Sequence, residues 1–300
     1  MSHLQSTAGS TVAEVVSERI STLAEGPVWC EREETIYWVD ILSGRLHMRR
    51  VADGSERSLE MGEHLGAVAL REKGGLLLAL RSGFAFYDLD DQHLTPISNP
   101  EEDLTTNRFN DGKCDPSGRF WAGTMSYEIE QGAGSLYCLD ARLKTRKLLD
   151  NLTISNGMAW SLDRNLFYFI DSPTGRVDRF DYEDTSATIS NRETVRQFTP
   201  EEGGPDGMTI DREGALWVAL YGGSRVVRLN PETGETLFTV RVPAPRVTSC
   251  SFGGAAFDEL YITTARENMT RAQIQKSPLS GSLFKAKVPF QGLPADRYIG

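Results

Sequence analysis

The chain has 300 residues, a formal net charge of −10 and no long basic run, a balance that disfavours a nucleic-acid partner and suits a cation or an uncharged small molecule. It lacks an 18-residue apolar run, which excludes a membrane-spanning helix. Its four cysteines, Cys30, Cys114, Cys138 and Cys250, have no CxxC spacing and sit in apolar, strand-like stretches, so they read as buried free thiols of a soluble cytoplasmic protein.

Met1 to Ser10 is small and polar and is expected to be a flexible tail ahead of a single domain spanning 11–300. Thr11 to Ser21, with Val12, Val15, Val16 and Ile20, is expected to be a strand. The reason is closure: a ring of repeats is completed when a strand from one terminus joins the sheet of the other, which removes an exposed edge.

From Glu25 onward one unit recurs. A glycine opens a first strand at Gly26, Gly66, Gly112, Gly157 and Gly207, at intervals of 40 to 50 residues. The residues just before these glycines are Glu25, Leu65, Asp111, Asn156 and Asp206, and Ser249 to Gly253 supplies a sixth first strand. A turn follows, seen most clearly in Asp115-Pro116-Ser117-Gly118. The second strand carries Tyr37, Leu77, Trp121, Tyr168, Trp217 or Tyr261 at a matching place. Third strands open on small or turn residues such as Ser43-Gly44 and Gly134-Ser135, and a fourth follows turns such as Asn230-Pro231-Glu232-Thr233-Gly234. Four short strands at this period predict an all-β fold, a six-bladed β-propeller of four-stranded antiparallel blades.

In a propeller the loops before first strands and after second strands open on one face. That face gathers Glu25, Arg108, Asn110, Asp111, Asn156 and Asp206 with Glu128, Asp171, Tyr221 and Arg266. Taken singly, an Asx-Gly or Glu-Gly pair is ordinary turn chemistry, and Asp40 and Asp171, at one strand end in two blades, read as structural turn residues. What distinguishes Glu25, Asn156 and Asp206 is their common register. Acidic and amide groups crowded at a pore resist desolvation unless a cation offsets them. These oxygen ligands suit one hard divalent ion, Ca²⁺, Mg²⁺ or Mn²⁺, with Zn²⁺ less indicated by ligand type.

Several stretches carry a family resemblance. Ala24-Glu25-Gly26-Pro27-Val28-Trp29, Asn107 to Met125, Ile154 to Ser161, Pro205-Asp206-Gly207-Met208, Thr248 to Gly254 and Tyr261 to Arg266 resemble the regucalcin (senescence marker protein)/gluconolactonase family. The likeness runs from about Ser21 to the C-terminus. It implies a six-bladed propeller and metal-dependent hydrolysis of a sugar (aldono-) lactone. Carried onto matching positions, it implies Glu25, Asn156 and Asp206 as metal ligands and Arg108, Asn110 and Glu128 as substrate contacts. Leu65 departs from the pattern in the second unit.

Lactone hydrolysis needs an activated water, a polarised carbonyl and a stabilised oxyanion. Asp206 is the candidate general base as well as a ligand. There is no GxSxG or HExxH motif, and His3, His47, His64 and His93 read as surface or loop residues, so neither a serine triad nor a zinc-protease helix has support. The expected partner is a small-molecule sugar lactone, with no nucleic acid and no membrane, and the expected state is a monomer or weak homodimer. Two alternatives stand beside this reading: a metal-dependent propeller hydrolase of other lactones or organophosphates, and a non-enzymatic Ca²⁺-binding propeller.

Overall fold

A computed structural model of the chain describes residues 9–17 and 19–300. Two short strands come first, β1 (Gly9–Val12) and β2 (Glu14–Ser17). Blade 1 is β3 (Ala24–Cys30), β4 (Thr35–Asp40), β5 (Arg45–Arg50) and β6 (Glu56–Glu60). Blade 2 is β7 (Leu65–Leu70), β8 (Leu76–Leu80), β9 (Gly83–Tyr87) and β10 (Leu94–Ser98). Blade 3 is β11 (Asn107–Cys114), β12 (Phe120–Ser126), β13 (Gly134–Leu139) and β14 (Thr145–Leu152). Blade 4 is β15 (Ser155–Trp160), β16 (Leu166–Asp171), β17 (Arg176–Glu183) and β18 (Thr188–Gln197). Blade 5 is β19 (Gly204–Ile210), β20 (Leu216–Tyr221), β21 (Arg225–Leu229) and β22 (Thr236–Arg241). Blade 6 is β23 (Val247–Gly253), β24 (Glu259–Thr264) and, after the short helix α1 (Arg271–Lys276), β25 (Leu283–Lys287).

The six first strands neighbour one another in turn, with β23 returning to β3, so the ring closes. Closure is made by the N-terminus: β2 pairs antiparallel with β25 as the fourth strand of blade 6, and β1 pairs parallel with β22 as a fifth strand on blade 5. The expected terminal strand is therefore two strands serving two adjacent blades. The expected tail also ends sooner than Ser10, because Gly9 and Ser10 already pair with Phe238 and Thr239; the rest of that tail lies outside the described residues.

The second-strand markers Tyr37, Leu77, Trp121, Tyr168, Trp217 and Tyr261 are all buried. They belong to apolar clusters that fill the spaces between adjacent blades, so the core is a ring of wedges and not one central mass. Leu65, the exception in the ligand register, is part of the wedge between blades 1 and 2. The four cysteines are buried and unbridged.

A recurring polar device locks the first turn. In blade 3, Asp115 accepts the Ser117 and Arg119 amides through Oδ1, and through Oδ2 it accepts Arg119 Nε at 2.6 Å and the Trp121 indole at 2.9 Å. Blade 5 repeats it: Asp211 accepts the Glu213 and Ala215 amides, the Trp217 indole at 2.9 Å and Arg228 Nε at 2.7 Å. Each carboxylate ties the strand end, the turn and the second-strand tryptophan together, which is why the aromatic marker keeps its place.

Candidate functional site

The first strands begin earlier than their glycines suggest. Glu25, Arg108, Asn110, Asp111, Asn156 and Asp206 lie within strands and not in the loops before them. In every blade the pairing between first and second strand slips at this place: between Glu25 and Val28, Leu65 and Ala67, Phe109 and Gly112, Ser155 and Met158, Pro205 and Met208, and Val247 and Ser249. Such a bulge re-aims a side chain out of the regular alternation. Six of them at one level give each blade one position from which a side chain can turn toward the axis.

The repeated glycine has a second cause. A Cβ on Gly157 would stand 2.5 Å from the Asp206 carbonyl oxygen, and one on Gly207 would collide with Ser249 Oγ. At Gly66, Gly157 and Gly207 the adjacent first strand comes too close for any side chain, whereas Gly26 faces open space at φ +53° and Gly112 is crowded by Phe120, Trp121 and Ala122 of its own blade. The same approach brings Asn156 against Asp206.

The upper cavity, about 620 Å³, is floored by Glu25, Arg108, Asn110, Asn156 and Asp206 and walled by apolar residues such as Leu23, Leu42, Met125 and Ile154. Its five floor residues are buried. Asn156 donates from Nδ2 to Ser172 Oγ at 3.0 Å, and Ser172 in turn donates to the Pro205 carbonyl. That pair orients the amide and leaves Asn156 Oδ1 without a partner among the described residues; Asp206 Oδ1 is equally unpartnered there. Glu25 Oε2 accepts the Gly26 amide at 3.0 Å. Arg108 donates from Nη1 to the Phe109 carbonyl at 3.0 Å and to Asn110 Oδ1 at 2.7 Å, while Asn110 Nδ2 donates to the Ser155 carbonyl at 2.9 Å. Asn110 is thus committed on both ends and holds Arg108 in place.

The electrostatics match this crowding. Burial pushes the Asp206 carboxyl well above the usual carboxylate range, and the Asp111 and Glu267 charges add to the rise, against contacts with Asn156 and Glu25 that lower it. Burial likewise raises Glu25 far above its ordinary value, reinforced by Asp206 and Asp111 and opposed by the Gly26 amide and Arg108. Two buried carboxylates and two orphaned oxygens at one point are what a cation would satisfy. Among the described residues no three His, Cys, Asp or Glu side chains form an ion cage, so the candidate donor set is two carboxylates and one amide, all oxygen, which fits a hard divalent ion.

The other sequence-derived candidates divide. Glu128 is exposed and does not line the cavity, although its neighbours Tyr127 and Ile129 do. Asp111 lines a second cavity, of about 860 Å³, at the other end of the channel, with Lys113, which donates to the Met208 carbonyl. Asp171 and Asp40 hold turns, accepting the Thr153 and Ile154 amides and the Thr22 and Leu23 amides respectively. Arg266 points away, donating to the Pro278 carbonyl. Tyr221 lines the cavity as expected, joined by Tyr127, Arg246 and Glu267, which sequence reasoning passed over. These three sit in connections outside the repeat register, so no periodic signal singled them out.

Comparison with known proteins agrees with this architecture. The profile of the SMP-30/Gluconolactonase/LRE-like region matches residues 23–266. The putative sugar lactone lactonase YvrE of Bacillus subtilis (strain 168) is 42% identical over 280 residues, covering 91% of this chain and 96% of that protein. Regucalcin of Xenopus laevis is 42% identical over 276 residues, covering 90% and 92%. Among solved structures, the calcium-binding protein regucalcin of Agrobacterium tumefaciens strain C58 superposes with a TM-score of 0.93 at 29% identity, over 97% of this chain and 99% of that one.

Proposed function

Because the chain belongs to the SMP-30/gluconolactonase/LRE-like family, we propose that it is an enzyme that hydrolyses a sugar (aldono-) lactone to the aldonic acid, with one divalent ion held by Glu25, Asn156 and Asp206. The observation that carries this reading is the pair of inward, unpartnered oxygens, Asn156 Oδ1 and Asp206 Oδ1, on a cavity floor shared with Arg108. When bound, a divalent ion supplies Lewis acidity toward the lactone carbonyl and acidifies water. The description of the Agrobacterium neighbour as calcium-binding makes Ca²⁺ the first ion to test.

The chain's own groups supply the rest. Water adds to the carbonyl carbon while Asp206 takes its proton; the ring C–O bond then breaks and the ring oxygen leaves as a hydroxyl after taking up a proton. Arg108 spends Nη1 on the protein and offers its remaining N–H groups to the ring hydroxyls or the carbonyl, and Asn110 keeps it aimed. Apolar side chains such as Leu23, Leu42, Met125 and Ile154 beside the polar floor lower the local polarity around these contacts. Glu128, exposed on the loop between the cavity-lining Tyr127 and Ile129, is assigned to a ring hydroxyl at the rim.

The test is acid release from five- and six-membered aldonolactones by chelator-stripped protein, then with Ca²⁺, Mg²⁺, Mn²⁺ or Zn²⁺ restored. No acid release with any ion refutes the lactonase reading, and full turnover without an ion refutes the metal requirement. Asp206→Asn at saturating, independently measured ion occupancy is expected to lower kcat by a factor of roughly 10² to 10⁴ if Asp206 is the base. Near-normal turnover there would leave it a ligand only.

A further inference from the structure

The cavity rim between blades 5 and 6 carries a carboxylate with no role in the reading above. Glu267 follows β24, and its backbone N–H is fixed by the Thr22 carbonyl. Its Oε1 accepts the Tyr221 hydroxyl at 3.3 Å. Among the described residues it has no ion-pair partner; Arg246, close by on the same rim, stacks 5.4 Å from the Tyr221 ring and donates to the Asn268 carbonyl instead. Glu267 nevertheless acts across the cavity: it is the foremost charge offsetting the burial of Arg108, and it adds to the repulsion felt by Asp206.

We propose that Glu267 is a specificity-determining residue that accepts hydrogen bonds from substrate hydroxyls and rejects lactones bearing a carboxylate or phosphate. The assignment rests on the lactonase reading and narrows its substrate class to uncharged polyhydroxy lactones. A carboxylate facing a cavity accepts hydroxyl donors strongly, because its bonds are charge-assisted. Brought against a second anion at the partly buried rim, it repels. Arg108 and Arg246 do not remove that bias, since part of each guanidinium is spent on the protein, that of Arg108 on Asn110 and the Phe109 carbonyl and that of Arg246 on the Asn268 carbonyl and the Tyr221 ring.

The experiment compares kcat/KM for a six-membered aldonolactone with that for the aldarolactone carrying a carboxylate in place of the terminal CH₂OH, at saturating ion. Wild-type protein is expected to favour the neutral lactone by roughly tenfold or more, and Glu267→Gln to reduce that preference by roughly tenfold, from loss of a charged hydrogen bond and relief of repulsion. Tyr221→Phe keeps the charge and is expected to retain the preference. A preference that changes less than about twofold in Glu267→Gln overturns the proposal alone, as does an equal loss in Tyr221→Phe. Hydrolysis of neither lactone by the wild type overturns the lactonase reading and this assignment with it.

Discussion

Gly157→Ala tests whether the spacing of adjacent first strands sets the site. The new methyl would meet the Asp206 carbonyl oxygen at 2.5 Å, Met208 Cβ at 2.7 Å and the Met208 amide nitrogen at 2.8 Å. Ordinary contacts between such atoms are about 3.5–4 Å, so β15 and β19 must separate by roughly 1 Å. None of the three atoms lies at the end of a flexible side chain, so the strain cannot be shed by a rotamer change. Overpacking of this kind costs about 1–3 kcal/mol, and at ~2–4 °C per kcal/mol the melting temperature should fall by several degrees. The larger effect is expected at the site, because Asn156 and Asp206 ride on the two strands being parted. A misplacement of about 1 Å lowers kcat/KM by roughly 10²-fold, and ion affinity should weaken with it. Calorimetric ion titration and lactone turnover, read beside thermal melts, make the assay. Gly62→Ala is the control: its φ is +76° with nothing within 4 Å, so it should cost stability alone. A Gly157→Ala protein that melts lower yet keeps wild-type ion affinity and turnover would refute the link between strand spacing and site.

Other expectations follow from the same structure. Arg108→Ala should lower kcat/KM on aldonolactones by roughly 10- to 100-fold with ion affinity nearly unchanged; a collapse of ion binding would instead make Arg108 part of the ion site. Asp211→Ala leaves the buried Arg228 with Glu213 as its remaining carboxylate partner, at 2.7 Å, and orphans the Trp217 indole, and should cost about 2–4 kcal/mol in denaturant unfolding; a loss under about 1 kcal/mol would show that Glu213 and water replace what Asp211 supplies. His47 is buried, stacks on Trp38 and bonds Ser58 Oγ through Nδ1, and burial lowers its pKa to about 4, outweighing Asp40 and Glu56 and reinforced by Arg19 and Arg45. The unfolded chain therefore takes up this proton first, so stability is lost as pH falls from about 6.5 toward 4, by at most about 3 kcal/mol. His47→Gln should flatten that segment of the stability curve, and an unchanged slope would assign the proton to another group.

The blade count was legible because two features repeat with it: a glycine near the start of five first strands, which at Gly66, Gly157 and Gly207 is required by the neighbouring first strand, and a large side chain where each blade meets the next. Leu65 broke the ligand register without breaking the fold, since at that blade the position needs only to fill a wedge. The bulges left no mark of their own, so Glu25, Asn156 and Asp206 were expected in loops when they stand on strands, a more rigid seat for a site. Glu267 and Arg246 were illegible for a different reason. Their places depend on connections whose lengths vary from blade to blade, and only folding reveals that they line the same cavity as Arg108. The N-terminal segment kept its strand character, but alternation alone does not say that Ala13 separates strands belonging to two blades.

The joining of β2 to β25 has a consequence in time. Val15 pairs with Phe284, so the earlier of these strands must wait for the later one to be synthesised. At roughly 5–20 residues per second that wait is on the order of tens of seconds. Throughout it the nascent molecule is an open arc with an unsatisfied edge at each end, a shape that a second arc could complete as readily as its own terminus. Short, partly polar β1 and β2 limit what such an edge offers to a stranger. Fusing a bulky partner directly ahead of Gly9 would obstruct the seam itself, whereas the chain's other end, which crosses under the ring and bonds Tyr298 to the Leu70 carbonyl, finishes away from it.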